Sequence, residues 1–129
     1  MKKLVLLFIF SCSIFIFPNV SYAEWIKVAE NQSGDEYYLD FKQIRKSNGY
    51  VYYWQLTNYI KPNSEGNLSS TIYVQGDCNV FRYAYLSLSF HNKPMGKGYY
   101  AQPFTPKFQW TYPRPNSVTN GVLKRVCDF

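Results

Sequence analysis

The residue types that carry chemistry are scarce in this chain and poorly spaced for catalysis. A single histidine, His91, is present, so a zinc centre built on several imidazoles is excluded and no second imidazole can assist the first. Asp35, Glu36 and Asp40 lie close together in sequence, but strand alternation scatters neighbours over two faces, and carboxylates beside turn formers commonly cap backbone N–H groups. They suggest neither a cation site nor a carboxylate pair for hydrolysis. The segment His91-Asn92-Lys93-Pro94-Met95-Gly96-Lys97-Gly98 reads as a connecting loop. Within it, His91, Lys93 and Lys97 offer cationic contacts to an acidic partner or a heme propionate. It lacks the glycine spacing and following hydroxyl of a phosphate-binding loop. The expectation is a binding protein, with no enzymatic activity and no resident cofactor or metal.

Cysteine chemistry depends on compartment, and the amino terminus indicates which one. Lys2 and Lys3 precede an apolar run over 4–17, Pro18 closes the run, and Ser21-Tyr22-Ala23 places small residues where a signal peptidase reads. Residues 1–23 are therefore expected to be a cleaved signal peptide, leaving 24–129 as a single small domain. The apolar run is shorter than the ~20 residues a spanning helix needs, so no transmembrane segment is expected after cleavage. Cys12 falls inside the discarded run and no lipid anchor is expected on it. Cys78 and Cys127 remain, and in an oxidising compartment they read as one disulfide. The lysine-led leader suggests a bacterium, with the protein in the periplasm or at the outer surface of a Gram-negative cell. Removal of Lys2 and Lys3 lowers the formal charge from +6 to +4. The remaining basic residues form no run, so nucleic acid is not an expected partner.

The elements that would position these groups are mostly strands. Residues 25–29 and 36–39 are short aromatic and β-branched runs around the turn formers Asn31 to Asp35, which together read as a hairpin. A short helical turn over 41–46 and a reversal at Asn48-Gly49 follow. Three longer runs, 50–60, 68–75 and 80–90, are expected to pair as an antiparallel meander. Their even positions, Tyr50, Tyr52, Trp54, Leu56 and Ile60, then Leu68, Ile72 and Val74, then Ala84, Leu86, Leu88 and Phe90, read as the core face. Cys78 is in phase with Ile72 and Val74, so its sulfur is expected to point into that core. Val118, Val122, Leu123, Val126 and Cys127 then fall at helical spacing, with Asn116 or Ser117 as the cap. The fold class is α+β, mainly β: an antiparallel meander with a C-terminal helix packed on one face and tethered by Cys78–Cys127.

The odd positions complete the pattern. Tyr53, Tyr59, Tyr73, Phe81, Tyr83 and Tyr85 alternate with small polar residues, so the face opposite the helix reads as neither solvated nor core. Three readings fit: cross-strand aromatic pairs that stabilise the sheet, a homodimer surface, or a ligand surface.

Taken in order, Trp25-Ile26-Lys27-Val28, Tyr37-Tyr38-Leu39-Asp40, Ile44-Arg45-Lys46, Asp77-Cys78, Arg82, Pro94-Met95-Gly96-Lys97-Gly98, Trp110 and Leu123-Lys124-Arg125-Val126-Cys127 resemble the bacterial surface-adhesin protein E family. The resemblance covers nearly all of 24–129. It implies an antiparallel sheet with a disulfide-tethered C-terminal helix, an envelope or surface location, and a protein ligand such as a host extracellular-matrix or plasma protein. The alternative is a periplasmic binding or inhibitor module with a bacterial partner and no adhesive role.

Overall fold

The computed structural model describes residues 23–99 and 102–129. The expected signal peptide and Cys12 lie outside these residues, apart from Ala23. Six strands form a single antiparallel sheet: β1 (Ile26–Glu30), β2 (Glu36–Leu39), β3 (Arg45–Ser47), β4 (Tyr50–Asn58), β5 (Ser69–Asp77) and β6 (Arg82–His91). The order is β1-β2-β4-β5-β6, and β3 lies along the same side of β4 as β2, further along it. Helix α1 (Val118–Cys127) closes the chain. The meander and the helix agree with the sequence reading. The strand β3 is a correction, because Arg45 and Lys46 fall where a helical turn was expected. The actual turn is a 3-10 helix, Phe41–Gln43, that corners between β2 and β3. Buried Asp40 holds this corner. Its Oδ1 accepts from Lys42 N at 3.1 Å and its Oδ2 from Gln43 Nε2 at 2.8 Å. Asp35 likewise accepts from Ile60 N at 3.0 Å, so both aspartates are engaged in turns.

The core is on the other face of β4 from the one expected. Leu39, Val51, Tyr53, Ile72 and Val74 form it together with Val122, Leu123 and Val126 of α1. On β5 the even residues are buried as expected, but on β4 the odd residues Val51 and Tyr53 pair with Gly76 and Val74. On β6 a register shift between the partners of Tyr73 and Val74 takes the ladder from Ser87 to Tyr85. That bulge puts Tyr83 and Tyr85 before it, and Leu88 after it, against the same core. Helix and sheet approach closely at Gly76, where an added Cβ would lie 2.8 Å from Val51 Cγ1 and 2.9 Å from Leu123 Cδ1.

Ser117 caps α1, accepting from Asn120 N at 3.1 Å. The last turn of α1 is bonded through Cys127 to Cys78, with Cα atoms 5.6 Å apart. Cys78 is exposed in the turn that follows β5, because Asp77 ends the strand by accepting from Asn79 N and Val80 N. The expectation of a sulfur pointing into the core is thereby corrected. The disulfide joins helix and sheet at the rim.

Candidate functional site

The face of the sheet away from α1 is floored by the even residues of β4 and the odd residues of β5. Register sets them in rows. Trp54 pairs with Tyr73 and Tyr73 with Ser87; Tyr52 pairs with Gln75, which pairs with Ala84; Tyr50 pairs with Asp77, which pairs with Arg82. Rings occupy most of this floor. Trp54 and Tyr73 stack with centroids 4.8 Å apart and planes at 28°, and Tyr52 lies 6.2 Å from Tyr73. All three are half-buried. No helix among the described residues covers them, so each is shielded by its neighbours within the face.

Two structures wall the ends. At one end the chain after β6 runs beside that strand, bonded through Phe104 to Leu88 and through Thr111 to Tyr83. It carries Trp110 onto Tyr50, with centroids 5.7 Å apart, while Phe108 meets Trp110 edge-on and Arg82 lies 4.3 Å over the Trp110 ring. Arg82 is neutralised by Asp77 at 3.0 Å. The Asp77 carboxyl is held below its usual range, chiefly by the backbone N–H of Val80 and also by Arg82. At the other end a 3-10 turn, Pro94–Gly96, lies over Leu56 and Thr71. It is pinned by Met95 N donating to Asn58 Oδ1 and Gly96 N donating to Ser69 Oγ, each at 2.9 Å. Gly96 has φ +68° and a Cβ there would meet Leu56 Cδ1 at 3.1 Å, so both conformation and space favour glycine. Leu56 is fully buried by this cover, the one even β4 residue that became core as expected.

Along one side of the floor, Arg45 of β3 donates from Nη2 to the Tyr73 hydroxyl at 2.9 Å and lies 5.9 Å over the Tyr52 ring. Lys27 at another corner is saturated by Glu30 and Glu36, each at 2.9 Å, which together raise its pKa above the ordinary lysine value.

The six residues expected to share this face are dispersed by the structure. Only Tyr73 belongs to its floor. Tyr53 is 1 % exposed beneath α1, and burial drives its hydroxyl pKa upward. Phe81, Tyr83 and Tyr85 pack against the core on the helix side; the Tyr85 hydroxyl is pushed up to about 12, first by burial and then by Tyr83. Tyr59 donates from its hydroxyl to Ser70 Oγ at 2.9 Å, beyond the end of β4. The loop candidates also separate. His91 is the last residue of β6, only 6 % exposed and 3.0 Å from Thr71 Oγ1 through Nε2. Lys93 and Lys97 are exposed on the loop. Sequence reasoning missed Tyr50, Tyr52, Trp54, Trp110 and Arg45 as surface residues. The available signal was that β4 has its largest rings at even positions and its best-fitting core residues, Val51 and Tyr53, at odd ones.

A cleft of about 540 Å³ lies elsewhere, lined by Ser33, Asp35, Tyr59, Ile60, Lys61 and Asn63. Its carboxylate, Asp35, is engaged in capping, and no cluster of metal-ligating side chains occurs among the described residues.

With this geometry established, comparison with known proteins gives a family. The model of the surface-adhesin protein E family matches residues 25–128. The chain belongs to that family. It is a family of adhesins, in agreement with the expectation drawn from the resemblance. Similar solved structures include crystal form II of Haemophilus influenzae protein E, at TM-score 0.64 and 19% identity over 86% of this chain and 92% of that one. Another structure of Haemophilus influenzae protein E gives TM-score 0.62 at 19% identity, covering 86% and 89%. Protein E from non-typeable Haemophilus influenzae gives TM-score 0.59 at 18% identity, covering 86% and 80%. At these identities the likeness is one of fold. No curated protein sequence matches the chain.

Proposed function

We propose that the protein is exported by its leader to the outer surface of a Gram-negative cell and works there as an adhesin for a host extracellular-matrix or plasma protein. The match to the surface-adhesin family over 25–128 carries this reading. The open aromatic face supplies the contact surface it needs, since half-exposed tyrosine and tryptophan offer large amphipathic area with little conformational entropy to lose. No helix among the described residues is long and apolar enough to cross a membrane. The test is protease shaving of intact native cells, with a periplasmic protein as control and mass spectrometry of the released peptides. Release of peptides from this chain while the control stays intact supports display at the surface. Protection of the chain removes the adhesive reading and favours a periplasmic module with a bacterial partner.

A further inference from the structure

The open face brings together a stacked aromatic tile, an uncompensated cation and short hydrogen-bonding groups. Trp54 and Tyr73 form the tile, stacked on each other at 4.8 Å, so that a partner meets the outer faces and edges of the pair. Arg45 stands beside it, oriented by the Tyr73 hydroxyl and the Tyr52 ring, and forms no ion pair with a carboxylate among the described residues. Of the other cations bordering the face, Arg82 is paired with Asp77 and Lys27 with two glutamates, while Lys93 and Lys97 flank the Pro94–Gly96 wall away from the tile. Arg45 is thus the cation beside the tile itself whose charge is available to a partner. Ser87 extends the Trp54–Tyr73 row on β6, and Gln75 sits in the row beside it, adding a hydroxyl and an amide level with the rings.

A sugar ring matches these three features together. One of its faces carries C–H groups that lie well on the electron-rich face of an aromatic ring, while its rim carries hydroxyls that need donors and acceptors. A carboxylate or sulfate on that ring gains a charge-assisted hydrogen bond from the guanidinium. A wholly apolar partner would bury the Arg45 charge without a counter-charge. A nucleic acid strand would call for several cations along a track rather than one.

We propose that Trp54, Tyr73 and Arg45 form a site for an acidic saccharide, in which one sugar ring packs against the outer surface of the Trp54–Tyr73 stack and its anionic group pairs with Arg45. The proposal rests on the adhesive reading above for its setting, and names the chemistry at the contact. The walls formed by Trp110 and by Pro94–Gly96 bound the floor at both ends and leave the tile between them.

Isothermal titration of the protein purified from cells expressing the full chain tests the proposal, using a heparin-derived oligosaccharide, a hyaluronan-derived oligosaccharide and a neutral dextran oligosaccharide. Binding of a charged oligosaccharide with no measurable binding of dextran is expected. Affinity for both charged probes identifies a carboxylate as sufficient; affinity for heparin alone identifies sulfate. Arg45→Gln and Trp54→Ala should each weaken binding by roughly tenfold or more, about 1.4 kcal/mol, while Lys61→Gln in the distant cleft leaves it unchanged. Should Trp54→Ala fail to fold, Tyr73→Phe keeps the ring, removes the hydroxyl that orients Arg45, and should still weaken binding. No binding of either charged probe, equal binding of dextran, or full affinity in the Arg45→Gln variant overturns the proposal. Shaving that protects the chain would remove the adhesive setting and leave the titration result standing, so the two failures are distinguishable.

Discussion

Tyr53 and Trp54 are adjacent in sequence and meet opposite fates. Tyr53 points to the helix side and is 1 % exposed, packed among Leu39, Val51, Val74 and the valines and leucine of α1. Trp54 points away, half-buried, with Tyr73 stacked on it and no layer above. The helix-side face is stabilised by removing apolar area from water between two layers, at about 25 cal/mol per Å². The open face keeps its rings ordered by lateral contact, which stabilises far less and leaves their surfaces available. One sheet thus carries its two-layer burial on one face and its laterally packed rings on the other, and substitutions should separate in the same way.

The largest effect should come from the link that holds the helix on its face. The Cys78–Cys127 bond spans 49 residues, and in the chain-entropy view a loop of that length stabilises the fold by about 4 kcal/mol. Cys127→Ser should lose stability of that order in chemical denaturation, a large share of what so small a domain has. Cys78 is exposed and Cys127 only partly buried against the core, so most of the cost arises from the freed chain. An unchanged denaturation midpoint would show that α1 docks without its tether and would weaken the division between the faces.

Next in size is the covered face itself. Leu123 is fully buried, and Leu123→Ala should cost about 3 kcal/mol through lost burial and the cavity left behind. Gly76→Ala adds a Cβ within 2.9 Å of both Val51 and Leu123 side-chain atoms, and overpacking there should cost about 2 kcal/mol. Trp54→Ala offers the contrast, since it removes a larger side chain from the open face. Its loss should be about 2 kcal/mol, the ring stack and the partial burial of the indole together. If thermal melting shows Trp54→Ala to be as damaging as Leu123→Ala, the open face is a second core and its role as a contact surface falls.

How much of this was legible in the sequence follows from the same contrast. The long strands, the helix and the disulfide were readable because each rests on local signals: alternating aromatic and β-branched residues, a one-sided helical stripe, and two cysteines in an exported domain. The phase of β4 was not, because large rings alone suggest burial, and what decides the face is the small groove at Gly76 that admits Leu123. The slip on β6 depends on a bulge between Tyr85 and Ser87 that no residue there announces. Strand β3 has an all-exposed Arg-Lys-Ser sequence and owes its form to pairing with β4. The site was half legible. An aromatic face was expected opposite the helix, and rings do line that face, though not the rings expected. Of the six residues assigned to it only Tyr73 remains, and the destination of Trp110, far along the chain, could be fixed only by the fold.

The smallest effect is a titration, and it lies at the one place where the open face becomes core. His91 is buried beside Thr71 at the end of β6, and desolvation holds its pKa below the ordinary 6.5. Well above 6.5 the imidazole is neutral in the folded and unfolded chains alike, and its contribution to stability is complete. As pH falls through 6.5 the unfolded chain takes up its proton first, so the fold loses stability until the lower folded pKa is reached, where the loss levels off. Asp77, also depressed, adds a separate loss only as pH falls below its ordinary 3.8. Melting temperature should therefore decline from about pH 7.5 to about pH 5 in the parent, and the decline should flatten in His91→Gln, which keeps a hydrogen-bonding group for Thr71 but does not titrate. Equal declines in both proteins would place the titrating group elsewhere, and would mean that His91 remains wet enough to charge within the fold. That result would extend the open face past the Pro94–Gly96 wall and make the wall a cover for Leu56 alone.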